Sequence, residues 1–447
     1  MSYRFAAGML RAEIERLVDD RPEAGVFQVH RDAFISEAVF ALEMQRIFEG
    51  TWIFLGLAPQ IPAPHDYFTT TVGRQPVVVM RDAEGTLGAF YNACRHRRAA
   101  VCPLERGNAR VHVCKYHGWS YDSAGRNVGI KGVQSGAYAE GFVREDHGLM
   151  PLARFANYRG FLFGSANPDV PSIEEHLGDM RAFLDLVAEQ SPHGFVCVPG
   201  NVGYEYRGNW KLQIENGVDA YHFSSTHPSY IGILNKRRAQ GESGGSVYAG
   251  FSDTELFRAT MTFPHGHNAL YGSNPASEAR ALNAAMPALR QRLGEARAQW
   301  LLYTRNVTIY PNLQIAENAS LQVRMLQPLA PDRTAMKTWC LAPHGEAPEA
   351  LQLRIRQYEE FFNPSGLATP DDTVNYEDCQ TGYRAGFDFQ QGYLRGMGVR
   401  NTQRSAAVQA LGIHPIAGTE GTFDLGDETV MHSPWREWKR LLLVGAK

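Results

Sequence analysis

Residues 94–119 read CRHRRAAVCPLERGNARVHVCKYHGW, and this stretch decides what one part of the fold must be built to hold. Cys94 and His96 form one short clamp, and after 17 residues Cys114 and His117 form a second. Two thiolates and two imidazoles in mixed pairs suit a [2Fe–2S] cluster in which sulfur holds one iron and nitrogen the other, an arrangement that raises the reduction potential and favours one-electron transfer. A tetrahedral zinc accepts the same four donors, but zinc sites of this composition pair Cys with Cys and His with His. Each clamp here mixes the two types, so electron transfer is the better reading.

The flanking sequence is that of a β module. YFTTTVGRQPVVVMRD (67–82), TLGAFYNAC (86–94), ARVHVCKYHGWSYD (109–122) and ANYRGFLFGS (156–165) are β-branched and aromatic runs separated by Gly, Asp and Asn turns. An all-β domain over 51–165 is expected, with the clamps on loops at one end. Before it, FISEAVFALEMQRIFE (34–49) has apolar residues at helical spacing with Gly50 as a stop, so residues 1–50 are expected to form a helical segment packing on the catalytic domain.

Residues 166–447 mix both element types. Strands are expected in VGYEYRGNWKL (202–212), SVYAGF (246–251), RNVTIYPNLQI (305–315), SLQVRMLQPLA (320–330) and AMKTWCLAPH (335–344). Helices are expected from Ser172 to Ala188, over 276–302 and over 350–362. The order implies an α+β fold with an antiparallel sheet around a helix.

Bulk composition excludes several function classes. With 447 residues the chain has room for two domains, and 44 basic against 47 acidic residues give a net charge of −3, so neither nucleic acid nor an anionic membrane is an expected partner. No apolar run reaches the ~18 residues of a membrane span, and MSYRFAAGMLRAEIERL lacks a signal-peptide core, so a cytoplasmic location is expected. Cys102, Cys197, Cys340 and Cys379 read as small buried hydrophobes in a reducing compartment.

A second constellation lies at 209–227, NWKLQIENGVDAYHFSSTH. If its middle is helical, Asp219 and His222 share a face and His227 follows. Two histidines with a carboxylate nearby favour a metal, and a non-haem Fe(II) oxygenase site needs two histidines and one carboxylate on a triangular face. The third ligand is sought in GLATPDD (366–372), where Pro370 stiffens the approach and Asp371 and Asp372 open a helix. Acidic residues at helix starts are also ordinary caps, and that alternative stays open at this point.

Together these motifs resemble the large (α) subunit of Rieske non-haem iron aromatic-ring-hydroxylating dioxygenases, from about residue 25 onward. IFEGTWIFLG (47–56), DYFTTTVGRQPVVV (66–79), YRGFLFGSANPDV (158–170), ENGVDAYH (215–222) and RIRQYEEFFNPSGLATPDD (354–372) resemble the benzoate and anthranilate dioxygenase branch in particular. Respiratory Rieske proteins carry an extra disulfide between the cluster loops; the matching positions here are Ala99 and Tyr116. One position departs from the pattern: Arg98 stands where the family usually has Gly, and Arg tolerates positive φ poorly.

The resemblance implies a helix-grip catalytic domain, with Cys94, His96, Cys114 and His117 holding the cluster and His222, His227 and Asp372 holding mononuclear Fe(II). It implies that Asp219 bridges His222 and a Rieske histidine, His117, of the next subunit in a homotrimeric α core, as α3 or with a small beta subunit as α3β3. Electrons from NADH would arrive through a separate flavin reductase, directly or through a ferredoxin, since no GxGxxG nucleotide motif follows a strand. Aromatic carboxylate and O2 would give a cis-diol.

For the substrate pocket the expected walls are Asn216, Val218, Pro228 to Leu234, Tyr310 to Leu313, Phe362, Leu367 and Ala368, with Arg305 as a carboxylate partner; His265 and His267 either reach the site or are exposed turn residues, and neither is taken as a ligand. Two alternatives stand against the dioxygenase: a salicylate-type aromatic monohydroxylase, and a Rieske electron carrier whose second domain binds no iron. The ENGVDAYH segment has no purpose in the carrier.

Overall fold

In the computed structural model of the chain, residues 11–200, 202–240, 256–274, 277–402, 404–422 and 426–445 are described. The expected strand SVYAGF lies outside them. The chain divides into two compact units, Phe48–Ile173 and Met1–Ile47 with Glu174–Lys447.

The unit Phe48–Ile173 is made of short antiparallel sheets. Asp66–Val72 and Gln75–Arg81 pair as a hairpin whose turn begins at Gly73, with φ 56°, and Leu87–Tyr91 and Arg106–Asn108 flank them. A second sheet runs Asn127–Gly129, Ser120–Asp122 and Val111–Val113; a third runs Arg154–Tyr158, Phe161–Ser165 and Ile53–Leu57. The unit continues past the expected boundary at 165 because side chains hold the next residues: Trp52 Nε1 donates to Pro171 O (2.9 Å), and Arg154 Nη1 to Pro168 O and Val170 O (both 3.2 Å).

The other unit contains one large antiparallel sheet. Its nine strands include, in order, Phe195–Cys197, Arg333–Pro343, Leu321–Ala330, Leu313–Glu317, Thr304–Ile309, Asn268–Gly272, Phe257–Thr262 and Ala417–Thr422, with Val202–Tyr206 also paired to Arg333–Pro343. Apolar residues fill long central strands, as burial on both faces requires. Helices Trp210–Asn216 and Thr369–Gly382 contact each other and carry the second constellation.

Glu43 ties distant parts of this unit together. It is 1% exposed and accepts from Trp210 Nε1 (2.9 Å), Lys211 Nζ (2.5 Å) and Trp438 Nε1 (2.6 Å). A buried ion pair persists only when its remaining hydrogen-bonding capacity is met, and here two indoles meet it.

Several expected elements take a different form. The helix over 34–49 is interrupted at Ser36, whose extended backbone ends Asp32–Ile35 and whose hydroxyl accepts from Val39 N to start Glu37–Glu43; a wider π turn follows at Met44–Phe48. The expected strand 202–212 stops at Tyr206, because Asn209 accepts from Lys211 N and starts a helix at Trp210. The helix expected over 276–302 is divided at Gly294 into Met286–Leu293 and Glu295–Leu302, preceded by 3-10 turns. The run 305–315 is two strands, Thr304–Ile309 and Leu313–Glu317, joined at Tyr310-Pro311-Asn312.

Candidate metal centres

The two Cys-His clamps are built on the same turn. In the first, Arg98 N donates to Cys94 O (2.9 Å) and Cys94 N to Ala99 O (2.9 Å); in the second, Gly118 N donates to Cys114 O (2.9 Å) and Cys114 N to Trp119 O (2.8 Å). Each turn needs a left-handed residue four positions after its cysteine. Gly118 takes it at φ 76° and Arg98 at φ 63°, with the Arg98 side chain exposed. Arg98 therefore adopts the conformation that the family glycine would, at a backbone cost of about 1 kcal/mol.

The donors fit a cluster. Cys94 and Cys114 are 1% and 2% exposed in one apolar core, while His96 is exposed and His117 half-buried. His96 Nδ1 and His117 Nδ1 stand 3.1 Å apart, the separation expected of two ligands on one metal at about 2 Å each. His96 stacks on Trp119 with ring centroids 5.2 Å apart, which fixes its plane. Tyr121 Oη lies 3.2 Å from Cys94 Sγ and accepts from Arg95 N at 3.0 Å, so its own proton points to sulfur, an interaction that raises a cluster's reduction potential. Asn92 pins the loop by accepting from Val101 N and Cys102 N and donating to Cys102 O.

All six cysteines are free thiols. Burial pushes the Cys102 thiol up to about 12, so it stays protonated beside His112 Nδ1 at 3.3 Å. Cys379 differs from the expectation for the four remaining cysteines: it is exposed, on the outer side of the Thr369–Gly382 helix.

In the second constellation, residues 217–222 form a turn and not the middle of a helix. The helix Trp210–Asn216 ends there because Gly217 lies against Gln314: a Cβ on Gly217 would stand 2.0 Å from Gln314 Nε2, which donates to the carbonyls of Gln213 and Ile214. The turn still brings Asp219 Oδ2 to 3.1 Å from His222 Nδ1. A short helix, Phe223–Thr226, carries the chain to His227.

The remaining carboxylates come from Thr369–Gly382. Its N-cap residue is Ala368, which makes no side-chain cap, and Asp371 and Asp372 in the first turn direct their carboxylates to imidazoles instead of closing the helix end. Asp372 Oδ1 lies 3.5 Å from His222 Nε2 and 3.2 Å from His227 Nε2, and one ligand atom from each of His222, His227 and Asp372 can be chosen within 4.8 Å of one another. Each histidine keeps its other nitrogen on a carboxylate, His222 on Asp219 and His227 Nδ1 on Asp371 Oδ2 at 3.3 Å. Such partners orient a metal-bound imidazole and raise its basicity. Two imidazoles and one carboxylate on one face are the donors that a non-haem Fe(II) site takes.

Electrostatics follow the same geometry. Burial pulls His222 down, but the Asp219 hydrogen bond and the Asp372 charge outweigh it and hold the imidazole above its ordinary value. Burial raises the Asp372 carboxyl, and the hydrogen bond with His227 and the charges of His222, His227 and Arg324 bring it below the usual carboxylate range. Asn216 Nδ2 sits 3.2 Å from both His222 Nε2 and Asp372 Oδ1, at the edge of the same point.

A cavity of about 580 Å³, its open mouth included, adjoins the cluster of ligands. Phe223, Leu270, Phe361 and Phe362 give it apolar walls, and Asn216, Arg258, Thr304, Asn306, Asn318 and Arg324 give it polar ones. Of the expected pocket residues, Asn216 and Phe362 line it. Val218 is wholly buried core, Tyr310 packs on Trp210, and Leu367 packs behind the wall with Tyr230, Leu234 and Ala368.

Arg305 is not at the cavity. Strand alternation puts it on the face opposite Thr304 and Asn306, where it pairs with buried Glu317. His267 is buried, not an exposed turn residue: its Nε2 donates to His176 O and its Nδ1 accepts from Tyr310 N, both at 3.0 Å. Arg258, Leu270, Thr304, Asn306 and Arg324 are not legible in the sequence because they are one or two inward positions on each of four strands. A lone charge inside the apolar run LQVRML was the one available signal.

Comparison with known proteins bears on both centres. The family described as "Rieske [2Fe-2S] domain" matches residues 51–141, and the one described as "Ring hydroxylating alpha subunit (catalytic domain)" matches 198–409. The chain is 39% identical to the 2-halobenzoate 1,2-dioxygenase large subunit of Burkholderia cepacia, over 96% of this chain and 92% of that protein. It is 37% identical to the anthranilate 1,2-dioxygenase large subunit of Acinetobacter baylyi (97% and 93% covered) and 36% to the toluate 1,2-dioxygenase subunit alpha of Pseudomonas putida (95% and 93%). In fold it is similar to naphthalene 1,2-dioxygenase from Rhodococcus sp., with a TM-score of 0.80 at 24% identity over 98% of this chain and 99% of that one.

Proposed function

Because the chain belongs to the family of ring-hydroxylating dioxygenase alpha subunits, Rieske non-haem iron oxidoreductases, we propose that it is the terminal oxygenase of an aromatic carboxylate dioxygenase. Its substrate would be of the benzoate or anthranilate type, the product a cis-diol, and the electron source NADH through a partner flavin reductase, with or without a ferredoxin. The observation that carries this reading is the cavity itself: aromatic walls and two guanidinium groups adjoin the point on which His222, His227 and Asp372 converge. Relatives named for 2-halobenzoate, toluate and anthranilate support the carboxylate class.

When bound, the cluster supplies electrons singly and the mononuclear iron supplies oxygen activation. The chain's own residues do the rest. Cys94, Cys114, His96 and His117 would hold the cluster; His222, His227 and Asp372 would hold the iron, with Asp219 and Asp371 keeping the imidazoles turned to it. Phe223, Phe361 and Phe362 exclude water from the face on which a ring would lie. In an α3 or α3β3 assembly, Asp219 would face His117 of the neighbouring subunit, joining electron arrival to the posture of His222.

The test is aerobic turnover with a reductase and NADH on benzoate, anthranilate, salicylate and 2-chlorobenzoate, with products identified by mass and ring position. Products two hydrogens and two oxygens heavier than substrate are expected from benzoate. Addition of one oxygen would instead assign a monohydroxylase, and no consumption of any carboxylate would defeat the reading.

A further inference from the structure

Among the described residues, several cations buried in the catalytic unit pair with carboxylates. Lys211 pairs with Glu43, Arg280 and Arg305 with Glu317, and Arg354 with Glu346, all buried. Arg258 is tied to backbone: its Nη1 donates to Phe257 O and Ser273 O, both at 2.8 Å. Arg324, half-buried on Leu321–Ala330, is different. Its Nε donates to Gln322 Oε1 at 2.5 Å, its guanidinium carbon lies 5.3 Å from the centroid of Phe362, and among the described residues neither of its Nη nitrogens has a protein acceptor.

This arrangement leaves one edge of a guanidinium unused. The Nε bond to Gln322 and the Phe362 ring fix the plane of the group, so the two Nη nitrogens are presented as a preformed fork. A partly desolvated cation without an anion carries a cost, and a planar fork matches the two oxygens of a carboxylate better than any neutral group. Asp372 lines the same cavity, but its Oδ1 is committed to the two imidazoles.

We propose that Arg324 is the specificity-determining residue that receives the substrate's carboxylate in a two-point hydrogen bond, holding the ring on the Phe362 side of the cavity. This rests on the aromatic-carboxylate reading above and names the group that would enforce it.

The holoenzyme, wild type and as Arg324→Gln and Arg324→Lys, is titrated calorimetrically with benzoate and with its uncharged isostere benzamide. Loss of a charge-assisted two-point contact is expected to lower the benzoate-to-benzamide affinity ratio about 10- to 100-fold in Arg324→Gln, with partial recovery in Arg324→Lys. In turnover the change should fall on KM more than on kcat. Iron content per chain is measured alongside and should match wild type, because a merely structural arginine supporting Asp372 would lower it. An unchanged ratio, an equal loss for both ligands, or loss of iron overturns the assignment and leaves the aromatic-carboxylate reading standing. A wild type that binds benzamide in preference to benzoate overturns both.

Discussion

In the cluster loops, all four proposed ligands fall within residues 94–117, on two turns that close by backbone hydrogen bonds of their own. In the iron site the ligands fall at 222, 227 and 372, and they meet only because one helix end presses on Gln314 and another helix docks beside it. The first region depends on local conformation and the second on tertiary packing, so the two should fail in different ways. The cluster cradle is sensitive to the backbone at a few residues. The iron site is sensitive to any change that moves a carboxylate.

The largest expected effect separates the centres outright. His222→Ala should lose the mononuclear iron and lower turnover by about 10³-fold or more, while the cluster's visible spectrum and its two irons persist. Metal analysis with absorption spectroscopy checks it, and a parallel loss of the cluster would break the idea of independent centres. Asp219→Asn keeps the ligands and removes a charge from behind His222. Turnover should fall about 10- to 100-fold with the rate of cluster reduction unchanged in stopped flow; near-wild-type turnover would remove Asp219 from the electron path.

Smaller effects probe the cradle. Tyr121→Phe removes the proton that faces Cys94 Sγ and should lower the cluster midpoint by about 60 mV, the one-electron equivalent of ~1.4 kcal/mol, in a redox titration. A midpoint unchanged within error would mean that the hydroxyl turns elsewhere. Arg98→Gly should stabilise the unit by about 1 kcal/mol in thermal unfolding with the cluster spectrum intact, because it relieves the left-handed strain at φ 63°. Destabilisation would show that the Arg98 side chain contributes more than its backbone costs.

The same contrast explains what could be read from sequence. Ligand clamps with short spacing were legible because their chemistry is local, and so was ENGVDAYH. The β-branched runs of the cluster-bearing unit and the alternating strands of the large sheet were legible for the reason that period-two patterning is a direct imprint of the pleat. The substrate cavity was not. Its polar wall draws one or two residues from each of several strands, and nothing in a linear pattern distinguishes Arg324, aimed at the cavity, from Arg305, paired on the opposite face of the sheet. Breaks such as Ser36 and Gly294 were missed because a helical apolar period continues across both, and only the backbone reveals the interruption. The stretch 202–212 misled for another reason: Asn209 can sit in a strand or cap a helix, and its neighbours Trp210 and Lys211 are drawn to Glu43, far away in sequence.

Glu43 has one more implication, for biosynthesis. Its three donors sit at residues 210, 211 and 438, and Asp20 likewise waits for Arg436. At translation rates of about 5–20 residues per second, the N-terminal segment stays without these partners for on the order of tens of seconds after it leaves the ribosome. Residues 48–173, whose contacts are largely internal, are free to fold and to accept their cofactor in that interval. Assembly of the oxygen-handling unit would then trail the electron-handling one on every nascent chain, and truncations that remove the helix His432–Leu443 should leave Glu43 with Trp210 and Lys211 but without the second indole, Trp438.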